Sequence, residues 1–173
     1  MAANADGLFV AHHRQLFRYL CQAVGQPDVA RDLTQEVFLR VSRARVPDAP
    51  AQQVRAWLFC IARNVALDHH RQRVSRPGVV GEVETRKPAT QHVALVVNEA
   101  IGRLADLDRD VFLMREVAGL SYDEIAEACG VSIDAVRSRL HRTRLQLREW
   151  LAEPIDTERR APMRQQPVRS RSL

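Results

Sequence analysis

Long apolar runs are missing from this chain, and so is most of what marks a covalent or catalytic framework. No stretch of about eighteen apolar residues occurs, so no segment reads as a membrane-spanning helix. The N-terminus shows no basic segment followed by an apolar core, so no signal peptide is visible and the expected location is the cytoplasm. Cysteine is limited to Cys21, Cys60 and Cys129, which are odd in number and far apart. Each sits among apolar residues at helical spacing, so buried free thiols are expected rather than disulfides or metal ligands. The pairs His12-His13 and His69-His70 invite a metal reading. Neither has an acidic or histidine partner at helical spacing, so they read as surface residues and no metal is expected. There is no phosphate-binding glycine loop and no nucleophile-and-base arrangement, which argues against an enzyme and against a cofactor. Lysine is almost absent: Lys87 is the only one, so the 26 basic residues are nearly all arginine.

Alanine, leucine, valine and arginine dominate, aromatics make up 5%, and 46% of the 173 residues are hydrophobic. That composition suits a helical protein of one domain or two small ones. The net charge of +5 is unevenly spread. Residues 1–73 carry an excess of base, residues 91–153 an excess of acid, and residues 154–173 are basic again. The later half is nevertheless strongly basic in its last helix. Such polarity fits a module that faces DNA on one side and protein on the other.

Residues 7–24 read as a first helix, with Phe9, Leu16, Phe17, Leu20 and Val24 on one side. Gly25 and Pro27 break it. A second helix starts near Asp28, with Val29, Leu33, Val37 and Val41 as its buried stripe. A different row on that helix combines Asp32, Gln35, Glu36 and Leu39 at spacings of three and four. It is either a solvated face or a docking face for a protein. Residues 44–54 contain two prolines and read as a loop. A third helix, Arg55 to Arg73, packs through Trp57, Leu58, Ile61, Ala62 and Val65. It leaves Arg63, Asn64, His70, Arg71 and Arg73 as a polar margin, either solvated or able to hold a nucleic-acid backbone. Residues 74–90 have two prolines, two glycines and no helical period, and read as a linker.

Helices over 91–105 and 108–118 open the second half, and Gly119 ends the latter. From Ser121 to Trp150 the pattern is helix, tight turn and longer helix. Ser121 and Glu124 form a capping box, Gly130 sits where positive φ ends a helix, and Ser132 caps the next helix, with Asp134 in its first turn. Val136, Leu140, Thr143 and Leu147 make the packed stripe of that helix. Arg137, Ser138, His141 and Arg142 stand opposite, with Arg144 and Arg148 nearby. A helix-turn-helix sets its second helix in the DNA major groove, where arginine reads guanine edges. An ordinary helical hairpin with a solvated basic face is the alternative. Residues 152–173, rich in proline and arginine and without an apolar period, read as a disordered basic tail.

Taken together, the chain resembles the bacterial RNA polymerase sigma factors of the extracytoplasmic-function (ECF) group of the sigma-70 family. DLTQEVFLRV (32–41) resembles the family's helix for core polymerase, RAWLFCIARNVALDHHRQR (55–73) its helix for the −10 promoter element, and GLSYDEIAEACGVSIDAVRSRLHRTR (119–144) its reader of the −35 element. The resemblance implies an all-α fold. Two small helical domains, 7–73 and 91–151, are joined by the flexible linker 74–90, and the second ends in the helix-turn-helix. It implies core RNA polymerase and promoter DNA as partners, and allows an anti-sigma factor as a third. It places Asp32, Gln35, Glu36 and Leu39 against polymerase. Arg63, Asn64, Arg71 and Arg73, with the loop 44–54, fall at the −10 element, and Arg137, Ser138, His141 and Arg142 at the −35 element. A helix-turn-helix regulator that never joins polymerase is the alternative; it leaves the row on the second helix unexplained. A free chain of this design has room to pack its two units together, hiding the basic helix 133–150 against the first.

Overall fold

The computed structural model describes residues 5–74 and 89–152, without the side chains of residues 74 and 89–93. Among the described residues helices are the only regular elements: α1 (Ala5–Val24), α2 (Pro27–Arg43), α3 (Ala51–Val74), α4 (Ala89–Gly102), α5 (Asp106–Glu116), α6 (Tyr122–Cys129) and α7 (Ile133–Ala152). The expected linker and basic tail lie outside the described residues over 75–88 and 153–173.

Proline and glycine set the first boundaries. Gly25 takes φ +74 at the end of α1, where its N–H bonds to the Cys21 carbonyl at 2.9 Å. Pro27 opens α2, a position where its missing N–H costs nothing. Pro50 lies just before α3 and starts it differently: its carbonyl accepts the N–H groups of Gln53 and Val54 at 2.9 and 3.1 Å. The expected loop 44–54 therefore shortens to 44–50, with Gln52, Gln53 and Val54 already helical. A proline bars helix on its N-terminal side and can begin one on the other.

The stripes also shift by a residue. On α2 the buried side is Ala30, Thr34, Val37 and Val41, while Val29 and Leu33 are half-buried. Thr34 tolerates burial because its hydroxyl donates to the Ala30 carbonyl at 2.7 Å. On α1, Leu8, Leu16, Tyr19 and Leu20 are buried, whereas Phe9 stays at the surface, stacked on His13 and edge-on to Phe38.

The centre of the molecule is α3. Val54, Ala56, Leu58, Phe59, Ala62 and Val65 are all buried and spread over more than half of its circumference. A helix apolar on that many sides is covered on more than one. One side of α3 meets α1 and α2, and another meets α6, while α5 also packs on α1. A single apolar cluster thus runs from the first helical unit (α1–α3) into the second (α4–α7). The expected packing of one unit on the other is present. The part that packs is α5 and α6, and the basic face of α7 is not hidden.

Candidate polymerase and nucleic-acid interfaces

The helix-turn-helix is built by caps. The Ser121 hydroxyl accepts the Glu124 N–H at 3.2 Å, and the Glu124 carboxylate accepts the Ser121 N–H at 2.6 Å. Gly130 ends α6 in the left-handed region at φ +66, and the next N–H, that of Val131, returns to the Ala126 carbonyl at 3.0 Å. The Ser132 hydroxyl then accepts the Ala135 N–H at 3.2 Å and starts α7. Val136, Leu140, Thr143 and Leu147 are buried, as their spacing predicts. Arg137, Ser138, His141 and Arg142 share the exposed side.

Those exposed groups differ in freedom. Arg137 pairs along its own helix with Asp134 at 3.0 Å. Arg142 is 61% exposed and reaches Asp108 at 3.9 Å. Arg139 is held much closer to the same carboxylate, at 2.6 Å, and is half-buried. Arg144 bonds to Glu116 at 2.6 Å, and that hydrogen bond holds its guanidinium above the ordinary arginine value.

On α2, Asp32, Gln35 and Leu39 are exposed, with Leu39 48% accessible. Glu36 is half-buried and accepts a 2.8 Å hydrogen bond from Arg40, whose other arm reaches Asp68 at 3.4 Å. The row is present as a face, with one of its carboxylates tied to a neighbour one turn on.

The −10 candidates divide. Asn64, Arg71 and Arg73 are exposed on α3, and Arg71 lies 4.0 Å from Asp68. Arg63 is turned into the contact between units: its Nε donates to Asp110 Oδ2 at 2.7 Å, and the two side chains are 20% and 7% exposed. The other Asp110 oxygen accepts the Tyr19 hydroxyl at 3.3 Å. Burial raises the Asp110 carboxyl above its usual range, against the pull of Arg63. Burial likewise lifts the Tyr19 phenol well above its usual value, with Asp110 adding to the effect. Burial works against the Arg63 guanidinium, but its hydrogen bond and charge contact with Asp110 leave it raised.

Two turns earlier on α3, Arg55 grips the start of the helix-turn-helix. One guanidinium nitrogen donates to the carbonyls of Ala118 and Gly119 at 3.0 and 3.1 Å, and another reaches Glu124 at 3.4 Å. Glu124 therefore closes the cap of α6 with one oxygen and meets Arg55 with the other. The roles of Asp110, Arg55 and Tyr19 escape a reading of local spacing, since their partners lie 47 to 91 residues away. The opposite net charge of the two halves was the available signal. Beside this contact lies a small crevice lined by Val24, Ala66, His69, Arg73, Arg109 and Asp110. His69 Nε2 is buried without a hydrogen-bond partner, and burial lowers its basicity, with Arg73 and His70 adding to the effect.

The thiols of Cys21, Cys60 and Cys129 are free and half-buried rather than fully buried. Desolvation pushes the Cys129 thiol up to about 11. Among the described residues, no three histidine, cysteine or acidic side chains gather in a way that would hold a metal, and no helix is long and apolar enough to cross a membrane.

Comparison with known proteins bears on both units. Residues 8–76 match the model of sigma-70 region 2, and residues 94–147 that of sigma-70 region 4. The chain is 33% identical over 162 residues to the ECF RNA polymerase sigma factor SigL of Mycobacterium tuberculosis, covering 88% of this chain and 91% of SigL. It is also 33% identical over 159 residues to the ECF RNA polymerase sigma factor SigE of Mycolicibacterium smegmatis, and there it spans only 62% of that relative's length. Its fold is similar to that of CnrH in a complex with the cytosolic domain of CnrY, with a TM-score of 0.67 at 25% identity, over 85% of this chain and 86% of that one.

Proposed function

The chain belongs to the sigma-70 family, among its ECF RNA polymerase sigma factors, and from that premise we propose how its surfaces divide the work of starting transcription. It binds core RNA polymerase, brings it to a promoter and takes part in opening the DNA; the polymerase makes the RNA, so the chain needs no catalytic group or cofactor of its own. It works in the cytoplasm, where the polymerase is. Residues 7–73 are the polymerase and −10 unit, 91–151 the −35 unit, 74–90 the connection between them and 152–173 a basic extension.

The observation that carries this reading is the exposed row Asp32, Gln35 and Leu39, with Glu36 beside it, inside the region 2 match. A free-standing helix-turn-helix regulator has no use for that row, whereas a polymerase subunit docks through it. Asn64, Arg71, Arg73 and, once released, Arg63 hold the unpaired strand of the −10 element; a basic rim and pocket must offset the few kcal/mol that unstacking a base costs. Arg137, Ser138, His141 and Arg142 enter the major groove of the −35 element, in keeping with their exposure opposite a buried stripe. CnrH is in a complex with the cytosolic domain of CnrY, which supports a further protein partner, an anti-sigma factor, for this chain as well.

Promoter-dependent RNA synthesis is the test. Core polymerase mixed with the chain should initiate at specific sites on a library of promoter fragments, and core alone should not. Duplex binding by the chain with no effect on initiation would favour the regulator instead.

A further inference from the structure

We propose that Asp108 is a positioning residue for −35 recognition: it keeps Arg139 out of the groove and biases Arg142, one turn on, toward a single base pair. Asp108 itself touches no DNA and acts through the two arginines. This deepens the function proposed above and rests on it.

The arginines of α7 are Arg137, Arg139, Arg142, Arg144 and Arg148, and α5 holds two of them. Arg139 donates to Asp108 Oδ1 at 2.6 Å, and Arg144 donates to Glu116 Oε1 through two nitrogens at 2.6 and 3.3 Å. Asp108 and Glu116 are eight residues apart on α5, about 12 Å along its axis. Two such grips, added to the buried stripe, fix the rotation of α7 about its own axis. They thereby set the direction in which Arg137, Ser138, His141 and Arg142 leave the helix. Arg137 bonds only along α7, to Asp134 at 3.0 Å. Arg148 is exposed and has no ion pair among the described residues.

Arg142 stands between the held and the free. Its Nη2 lies 3.9 Å from the same Asp108 oxygen that Arg139 occupies, and its side chain is 61% exposed. At that distance the attraction is charge alone, with no hydrogen bond to break. Arg139 already has the oxygen, so Asp108 draws Arg142 without capturing it. The carboxylate is only 15% exposed, so salt screens it less than a surface charge. A guanidinium fork meets a guanine edge in one orientation, and an arginine already biased toward that orientation loses less freedom on binding. Unrestrained, the same cation reaches any nearby phosphate, which adds affinity without preference. A phosphate approaching Arg139 would have to displace a carboxylate at hydrogen-bonding distance, so that arginine is withheld from backbone contacts.

The test uses the full chain with core polymerase, on a promoter from the fragment library randomised over its −35 element. Barcoded transcripts counted by sequencing give the preference at each base pair. Asp108→Asn keeps an oxygen for Arg139 and removes the charge that draws Arg142. It should flatten preference about fivefold at the base pair that Arg142→Ala also flattens, and leave the other positions as they are. In the Arg142→Ala background it should change preference no further, because a residue that acts through another adds nothing once that other is gone. A purely structural role would lower output at every sequence and leave the preference intact. Retained preference in a folded Asp108→Asn chain overturns the proposal, and so does a second, equal loss in the Arg142→Ala background. Should Asp108→Asn lose helical content, the wild-type chain decides. Nitrogen relaxation of its arginine side chains should show Arg142 more ordered than Arg148, and equal order overturns the tether. A wild-type chain that directs polymerase to no specific site would strike the function instead, and would leave the relaxation comparison standing.

Discussion

Arg139 and Arg142 are three residues apart on α7 and both reach Asp108, yet they predict different losses. Arg139 is half-buried at 2.6 Å from the carboxylate, and Arg142 is exposed at 3.9 Å. Arg142→Ala should leave thermal stability unchanged and cost about 1–3 kcal/mol of −35 duplex binding, with relaxed preference at one base pair. Arg139→Ala should instead lower the melting temperature, because it strands a partly buried carboxylate. Equal duplex affinity for wild type and Arg142→Ala would remove that residue from the groove. Tyr19 offers a second residue-scale test. Its raised phenol means that the folded chain holds the proton more tightly than the unfolded one. The stability it contributes is whole below the ordinary phenol value of about 10 and is lost as pH rises through the raised one. Alkaline absorbance titration should show Tyr19 ionising late in the wild type, and closer to the ordinary range in Asp110→Ala. The partner of Tyr19 was not legible in the sequence. Spacing within a helix says which side a residue is on, and nothing about what arrives from 91 positions away.

The elements were legible where caps and periodicity agree. Ser121, Glu124, Gly130 and Ser132 each do locally what their residue type predicts, so the helix-turn-helix could be drawn without tertiary information. The boundary at Pro50 and the one-residue shift of the α2 stripe could not. The first depends on which side of a proline the chain continues, and the second on Thr34 burying itself through a bond to its own helix. Gly130→Ala tests the turn directly. A Cβ there would meet nothing within 4 Å, so the cost is backbone strain alone at φ +66. A loss of roughly 1–2 kcal/mol is expected from the left-handed penalty. Chemical denaturation measures it, and a neutral substitution would mean that the turn relaxes. The α2 row makes a prediction of another kind. Glu36→Lys frees Arg40 and reverses one charge of the proposed docking face, and should weaken core binding while helical content holds. Unchanged affinity would detach the row from polymerase.

At the scale of the whole molecule the halves have two tasks, holding each other and reaching apart on DNA. The first was expected as a packing of the two units that hides the basic helix 133–150; instead α5 and α6 make the contact, and α7 keeps its basic face open. The second depends on residues 75–88, between the end of α3 and the start of α4. Whatever path they take, these 14 residues reach at most about 46–50 Å, and half as many about 23–25 Å. Two promoter elements more than one DNA turn apart are separated by about 34 Å or more. Deleting half of this segment should therefore abolish initiation at a two-element promoter. The same deletion raises the effective concentration of each unit at the other and should favour the packing of α5 and α6 on the first unit. The two causes are separable. If that packing were limiting, adding to the shortened chain Asp110→Ala, which removes the Arg63–Asp110 pair between the units, would restore initiation. If reach is limiting, the double variant should still fail at the two-element promoter, while Asp110→Ala with the full-length segment initiates there. Restored transcription in that double variant would show that residues 75–88 do not set the span between the elements.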